Sequence, residues 1–492
     1  SLSFPSVYSE SNKEGIMAYI NNNHFLDNIT FRGMRWSLLK SFDEIYIVNL
    51  HGEVGECTPD DSKDENVFDI TKGTSINIFI KNGKKRDNGI ATVHYIDKFG
   101  LRNEKYDFLK THSLNDLKFQ SVTPTHPYYF FVPKDTANEN EYQQGFKIDE
   151  LMIEKTSGIV TARDHLVINK DINELLKKIN TFTDTNISDE NIRRIFKKGK
   201  RELGDTRGWI MSDARKKIKQ NNHQDFIKEI SYRPFDTQYV YYSKDMVDWG
   251  REEFFKKMLC GGDNIAILSC RQIAVNDWCH VFISNRIVDG CCVSNRSKEG
   301  TYIFPLYLCE TGNQMLGGRK TPNLNKDIWG KINDTVGYET TPEQVFDYIY
   351  AVLHSPKYRS KFKSFLKIDF PRIPYPLDKD EFETVSKIGT QLRKLHLFVS
   401  VPTMPDIAKY IVNGSGEVVK VEYINNTVYI NDAQCFENVP ESAWNFTIGA
   451  YQPAQKWLKD RIKSKLSPND VKHYRNMIIV LIEMERLMNM LG

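Results

Sequence analysis

The sequence predicts a multidomain protein of α/β and α+β class. The tail of an α/β sheet domain leads into a mixed α+β region and then into a mostly helical one. Three observations carry this expectation. Strand-length apolar runs around one amphipathic stretch fill residues 15–80. Short apolar segments separated by turn residues crowd 231–310, and helical periodicity dominates beyond 340. A chain of 492 residues has room for roughly two to four domains. The expected division is 1–95, 96–335 and 336–492.

Gly15-Ile-Met-Ala-Tyr-Ile20 reads as a strand, closed by the polar turn Asn21-Asn-Asn23. Residues 30–41 read as a helix with Met34, Leu38 and Leu39 on one face. Strands follow at 45–50 and, past an acidic loop at 53–65, at 75–80, where Ile76, Ile78 and Ile80 alternate. Three strands and one helix cannot cover both faces of a sheet, so the rest of this domain must come from elsewhere. Residues 84–150 form a polar connector with short strands at 91–95 and in the aromatic run 128–132. Residues 151–230 are mainly helical, with a capping signal at Ser188 ahead of Ile192. Strands at 238–242, 264–269, 280–284, 291–294 and 302–308 suggest a meander or small barrel. A boundary falls near 313–338, rich in Gly, Asn, Lys and Pro. Thr341-Pro-Glu-Gln344 then opens a helix whose buried stripe is Val345, Tyr348, Ile349 and Val352. A helix at 382–397, a hairpin at 418–430 and a helical end bearing Val471, Tyr474, Ile478, Leu481 and Met484 complete the chain.

Composition narrows the function classes. With 40% hydrophobic and 27% charged residues the chain can bury real cores, which excludes a disordered tail. It has no apolar run of membrane-spanning length and no basic-then-apolar start, so a cytoplasmic protein is expected. The eight cysteines include no C-x-x-C pair, and Cys279-His280 has no partner at zinc-finger spacing, so no metal site is assigned. They are expected to be reduced thiols, mostly buried as small hydrophobes. A net charge of +3 decides nothing, because what matters for nucleic acid is where the cations gather. The chain starts at Ser1 without methionine, so it is expected to be a piece of a longer one.

Several segments, in order, resemble a known family. Gly15-Ile-Met-Ala-Tyr-Ile-Asn-Asn-Asn-His-Phe-Leu-Asp27 with Thr30-Phe-Arg-Gly-Met-Arg35 resembles the segment after the catalytic motif in amino-methylating adenine DNA methyltransferases. Ile47-Val-Asn-Leu-His-Gly52, Glu65-Asn-Val-Phe-Asp-Ile-Thr-Lys-Gly73, Tyr348-Ile-Tyr-Ala-Val-Leu-His-Ser-Pro-Lys-Tyr-Arg359 and Phe370-Pro-Arg-Ile-Pro-Tyr375 resemble Type ISP restriction–modification enzymes. Ser157-Gly-Ile-Val-Thr-Ala-Arg-Asp164 and Tyr232-Arg-Pro-Phe-Asp236 look like that family's target-recognition region. The resemblance implies that 1–95 is the end of a Rossmann-like, S-adenosylmethionine-dependent methyltransferase core, with DNA target recognition in the remainder. The glycine loop for the cofactor and the Asn/Asp-Pro-Pro-Tyr/Phe tetrapeptide are not in this sequence. The expected parent is therefore a site-specific adenine methyltransferase, with a helicase-like motor and a nuclease as further parts implied upstream. This chain alone is expected to be inactive and to hold no cofactor.

The resemblance places Phe68 where the family stacks an extruded adenine; the alternative is a core aromatic in a returning loop. Asn21 and Asn23 follow a strand's carboxyl end, where α/β sheets bind ligands, though Asn also ends strands for conformational reasons. Lys72 and Gly73 are candidates for the same pocket, whereas Phe31 and Arg32 match family positions without a role. Residues 193–219 hold eleven cations against three anions. From these, Arg193, Arg194, Lys197, Lys198, Lys200, Arg207 and Lys216 are candidate phosphate contacts, with a solvated helix face as the plain alternative. Trp209 beside Arg207 is a candidate groove contact. Arg163 with Asp164, Arg233, Arg271 and Gln272 are candidate recognition residues, because Arg reads guanine and Gln adenine. The cations at 456–475 read as solvated, His354 as structural, and no nuclease pattern or nucleophile triad is present. The favoured function is duplex-DNA recognition. A complete methyltransferase of unusual motif order and a protein-interaction module are the alternatives.

Overall fold

The computed structural model describes residues 14–492 except 55–57, 59–61, 85–88, 134–137, 207, 260–261, 274–276 and 310–319. Two compact units divide between Glu139 and Asn140, with Lys367–Asp369 belonging to the first. The expected boundary at 95/96 falls inside a strand instead. The one expected near 313–338 lies partly outside the described residues. Its second half is the helix Lys326–Val336, and the second unit continues across it.

The first unit is built on one five-stranded sheet. β1 (Gly15–Asn22), β2 (Glu44–His51), β3 (Thr74–Lys81), β4 (Thr92–Asp97) and β5 (Gln120–Val122) lie in the order β1-β3-β2-β4-β5. β3 pairs antiparallel with both β1 and β2, and β2 runs parallel to β4. The alternation in β3 arises because Ser75, Asn77 and Phe79 are buried on one face while Ile76 and Ile78 lie half-buried on the other. The core beneath the first face gathers Leu38, Leu39, Phe42, Ile45, Ile47, Phe79, Val93 and Phe131.

The aromatic run 128–132 is not a strand. Its main chain is claimed by Arg35, a fully buried residue of the helix Arg32–Ser41. The guanidinium donates to the carbonyls of Phe25 at 2.7 Å, Asn28 at 2.8 Å, Tyr128 at 2.7 Å and Tyr129 at 2.9 Å. A buried charge needs such partners, and carbonyls spent on it are lost to a sheet ladder.

In the second unit, strands between 156 and 305 form two four-stranded sheets in place of one barrel. One orders Ile287–Val288, Ile227–Arg233, Asp236–Tyr241 and Ile168–Asn169; the other orders Val281–Ser284, Ala266–Cys270, Thr301–Pro305 and Thr156–Ser157. The strand Ile227–Arg233 begins inside the segment read as helical, and residues 291–294 form bends rather than a strand. The helix signals hold. Ser188 accepts from Asn191 N at 3.3 Å, and Thr341 and Gln344 form a reciprocal capping box at 3.2 and 2.9 Å. The helix Pro342–His354 buries every residue from Val345 to His354 rather than one stripe. The helix Lys379–His396 lies against it so closely that a Cβ at Gly389 would sit 1.9 Å from the Asp347 carbonyl oxygen. Asn425 and Asn426, at φ +49° and +60°, turn the hairpin between Glu422–Ile424 and Thr427–Tyr429. The C-terminal region is thus helical around a small four-stranded sheet.

Cys57 and Cys260 lie outside the described residues. Cys270, Cys279, Cys291, Cys292 and Cys435 are free thiols, whereas Cys309 is disulfide-bonded, against the expectation of reduced thiols throughout. No helix among the described residues is long and apolar enough to cross a membrane.

Candidate nucleic-acid interface

In the first unit, a polar network lines the carboxyl ends of the parallel pair β2 and β4. Asn23 donates through Nδ2 to Asn49 Oδ1 at 3.0 Å, and Asn49 donates to the Tyr95 hydroxyl at 2.9 Å. Tyr95 donates onward to Asp97 Oδ1 at 2.5 Å, which His51 Nε2 also meets at 2.6 Å. Burial, reinforced by Asp97, raises the Tyr95 phenol well above its ordinary range, so it stays a donor. The His51 ring stacks on Phe99 at 3.7 Å. Asn21 belongs to a neighbouring pair, accepting from Asn77 Nδ2 at 2.8 Å. Glycine at 73 is explained by Asn23, since a Cβ there would stand 2.6 Å from the Asn23 amide nitrogen. Lys72 donates to Glu53 at 2.7 Å, whose other oxygen meets His24 at 2.8 Å. Asn21, Asn23, Lys72 and Gly73 do come together at one end of the sheet, but as an internally bonded framework.

Phe68 differs from them. The loop between β2 and β3 is fastened from beneath by the helix Arg102–Thr111. Lys105, fully buried, donates to the carbonyls of Leu50 and Glu65 and to Asp64 at 2.6–2.7 Å. Tyr106 donates to the Val67 carbonyl at 2.5 Å, and Arg102 to those of Asn66 and Phe68 at 2.7 and 3.2 Å. From above, Asn66 donates to Gly52 O and Lys72 O and accepts from Phe68 N. Around this fixed backbone the Phe68 side chain stays 44% exposed. The core-residue alternative does not fit that exposure.

In the second unit, the basic segment is not one helix face. The helices Asp189–Ile195 and Met211–Ile218 flank a connection carrying a tight turn, where Lys198 and Arg201 exchange backbone hydrogen bonds at 2.8 and 3.1 Å. Gly199 supplies the left-handed residue at φ +61°. Lys197, Lys198, Lys200 and Arg201 are exposed on this turn, and Lys216 and Lys219 are exposed on and just past the second helix. None of these six appears in an ion pair among the described residues. The arginines divide otherwise. Arg193 holds Asp205 at 2.9 Å and the Leu203 carbonyl at 2.7 Å. Arg194 pairs with Glu190 and reaches Glu202 at 3.6 Å. Arg215 binds Asp189 and the carbonyls of Phe182, Asp184 and Ile187. Arg207 lies outside the described residues.

Arg163 and Arg233 are corrected as base readers. Arg163 is 1% exposed, donates to Met246 O at 2.7 Å and Asp248 at 2.5 Å, and stacks 3.8 Å from the Trp209 ring. Trp209 is likewise buried, its indole N–H donating to Asp245 O at 2.7 Å, so it is not a groove contact. Asp164 accepts from Thr161 and from Tyr232 at 3.2 Å. Arg233 binds Asp289 at 2.7 Å and covers the Tyr232 ring at 3.8 Å. Burial pushes Asp289 up to about 6, with Arg233 pulling against it. Arg271 is exposed just past the strand Ala266–Cys270, with Gln272 half-buried beside it, so both stay at the surface. In the cation group at 456–475, Arg461 is buried against Asp236 at 2.9 Å and Lys456 is paired with Asp460. His354 is buried and bonded to Tyr350 O at 2.7 Å, a structural role. Sequence reasoning missed the Asn49–Tyr95–Asp97–His51 network. Polar residues at alternating positions of two apolar strands were the available signal.

A family model, the Type ISP C-terminal specificity domain, matches residues 150–490. Three solved structures are similar over nearly all of the chain. The DrdV–DNA complex has a TM-score of 0.73 at 21% identity, covering 99% of this chain and 51% of that one. The ATP-dependent Type ISP restriction–modification enzyme LlaBIII bound to DNA has 0.73 at 23%, covering 99% and 33%. A nuclease-deletion mutant of the Type ISP enzyme LlaGI with a DNA substrate mimic has 0.70 at 20%, covering 98% and 47%. The chain therefore spans between a third and about half of these proteins. No curated protein matches the sequence.

Proposed function

Since the chain belongs to the family of Type ISP C-terminal specificity domains, we propose that it grips duplex DNA as the target-recognition part of an adenine-specific DNA methyltransferase. The parent would serve a restriction–modification system. The observation that carries this is the basic turn. Lys197, Lys198, Lys200 and Arg201 are exposed, without acid partners among the described residues, on a backbone fixed by reciprocal hydrogen bonds inside the matched segment. Cations so placed neutralise phosphates and release counterions. The DNA complexes among the structural neighbours support the same partner. Arg271 and Gln272, still at the surface, remain the candidates for reading bases.

The exposed Phe68 supports the finer part of the proposal, a platform for an adenine turned out of the duplex. Methylating the exocyclic amine requires the base to leave the stack, and a fixed aromatic face gives it somewhere to rest. S-adenosylmethionine would be the methyl donor of the longer protein. The amides of Asn21, Asn23 and Asn49, which could have faced it, are bonded within the framework described above, so no methyl-transfer step is assigned to them. Among the described residues β1 is an edge strand, and its Ile16 and Ile20 are 74% and 50% exposed, which supports a sheet extended and covered by the rest of that protein. Its substrate would place it with the DNA in the cytoplasm.

The test is binding of the purified chain to a labelled mixed-sequence duplex across a salt series. Affinity should fall linearly on logarithmic axes. Absence of binding at low salt, or binding indifferent to salt, would refute the proposal.

A further inference from the structure

The loop that ends at the helix Glu252–Leu259 presents an aromatic that none of the sequence motifs includes. Trp249 is 61% exposed, yet everything around it is fixed. Its backbone exchanges hydrogen bonds with Val160 at 3.0 and 3.2 Å. Asp248, before it, binds Arg163 at 2.5 Å. Gly250, after it, accepts from the Tyr242 hydroxyl at 2.5 Å, and Arg251 donates to Ser157 at 2.9 Å. Two non-glycine residues of this surround, Ala162 at φ +59° and Arg251 at φ +55°, sit in the left-handed region. Strain of that kind persists where the surroundings over-determine a conformation. A loop anchored on all sides could have turned its indole inward; this one holds it in solvent.

The same anchors join Trp249 to the basic connection. Arg163 Nη2 also donates to Thr206 at 3.1 Å, and Thr206 donates to Asp248 at 3.2 Å. Asp245 takes Lys217 at 3.2 Å through its carboxylate and the Trp209 indole through its carbonyl. Both acids of the loop are thereby neutralised, while the Arg251 guanidinium stands 5.7 Å from the Trp249 ring. The exposed indole therefore projects from a loop tied through Thr206 to the connection that carries Lys197, Lys198, Lys200 and Arg201; Lys244 on the loop is exposed and in no ion pair among the described residues, and the half-buried Glu252 follows just past it. A protein partner would need an acidic patch to fit this surface, whereas DNA supplies phosphates and, beside them, the apolar edges of sugar and base.

We infer that Trp249 is a direct contact to duplex DNA, its indole packing against sugar and base edges next to the phosphates held by the basic turn. The inference rests on the duplex-binding proposal and is tested so that the two can fail separately. Trp249→Ala and Trp249→Phe are compared with the wild-type chain on a labelled mixed-sequence duplex across a salt series, beside the Gln variant of Lys197, Lys198 and Lys200. Removing a buried indole contact should weaken Trp249→Ala by roughly 5-fold or more while the salt slope stays unchanged, because the indole carries no charge. Trp249→Phe should recover most of that affinity, and it carries the test if the alanine variant melts early. Wild-type affinity for Trp249→Ala, beside a flattened slope for the lysine variant, would overturn this inference and leave duplex binding standing. No salt-dependent binding by the wild type would overturn both.

Discussion

Replacing Lys197, Lys198 and Lys200 by Gln removes three charges without disturbing an ion pair among the described residues or the backbone bonds of the turn. Removing one phosphate interaction should lower the slope of log affinity against log salt by about 0.9 in B-form DNA, so three account for about 2.7. Between about 50 and 200 mM salt, a fourfold change, the wild type should then lose roughly 40-fold more affinity than the variant. Target and non-target duplexes should weaken together, because phosphate contacts orient a protein without reading sequence. Arg193→Gln is the control, since it breaks the bonds to Asp205 and the Leu203 carbonyl. It should lower the melting temperature and leave the slope nearly intact. Fluorescence anisotropy with one labelled duplex at several salt concentrations suffices. A triple variant whose slope equals that of the wild type would refute the reasoning and return the turn to simple solvation.

In the longer protein, Phe68→Ala should cut methylation while duplex affinity holds, and Phe68→Trp should be mild; equal damage by both would remove the stacking role. Lys105→Met should cost about 3–5 kcal/mol by stranding the Asp64 carboxylate, seen as a lower denaturant midpoint, and an unchanged midpoint would refute the clamp. Acid should weaken the second unit. Burial, helped by Arg359, holds His396 down to about 3, whereas an unfolded histidine takes its proton near 6.5, so stability is full above that range and falls as pH drops. His396 alone should account for about 2 kcal/mol between pH 6.5 and 5 by denaturant titration, and flat stability across that window would exclude a buried neutral imidazole.

What was legible in the sequence was local. Ser188, Thr341 and Gln344 cap the helices they announce because a capping bond closes within four residues. The alternation of β3 and the turn of Asn425 and Asn426 are equally short-range. Pairings across the chain were hidden. β4 reads as part of a connector, yet it runs parallel to β2 some forty residues upstream. Nothing near 128–132 reveals that Arg35 will take its carbonyls. The candidate site shows the same division. The gathering of cations at 193–219 could be read but not the tight turn that carries four of them, and an isolated Arg carries no sign of whether it will meet DNA or an internal acid. Arg163 and Arg233 met Asp248 and Asp289. Trp249 gave no signal either, because an exposed tryptophan and a core tryptophan look alike until their neighbours are placed.

The internal cations share a habit with consequences for how such a chain can change. Arg35, Lys105, Arg163 and Arg215 each spend hydrogen bonds on main-chain carbonyls of distant segments. A carbonyl is present whatever side chain its residue carries. The segment Arg215 holds at 183–187, past the buried Phe182, can therefore be rewritten residue by residue while the fastening persists, provided the backbone keeps its path. Saturation mutagenesis should find 183–187 permissive and the four cations intolerant. A surface that must acquire new sequence preferences without refolding gains freedom from such an arrangement, since its side chains are released from holding the loops in place.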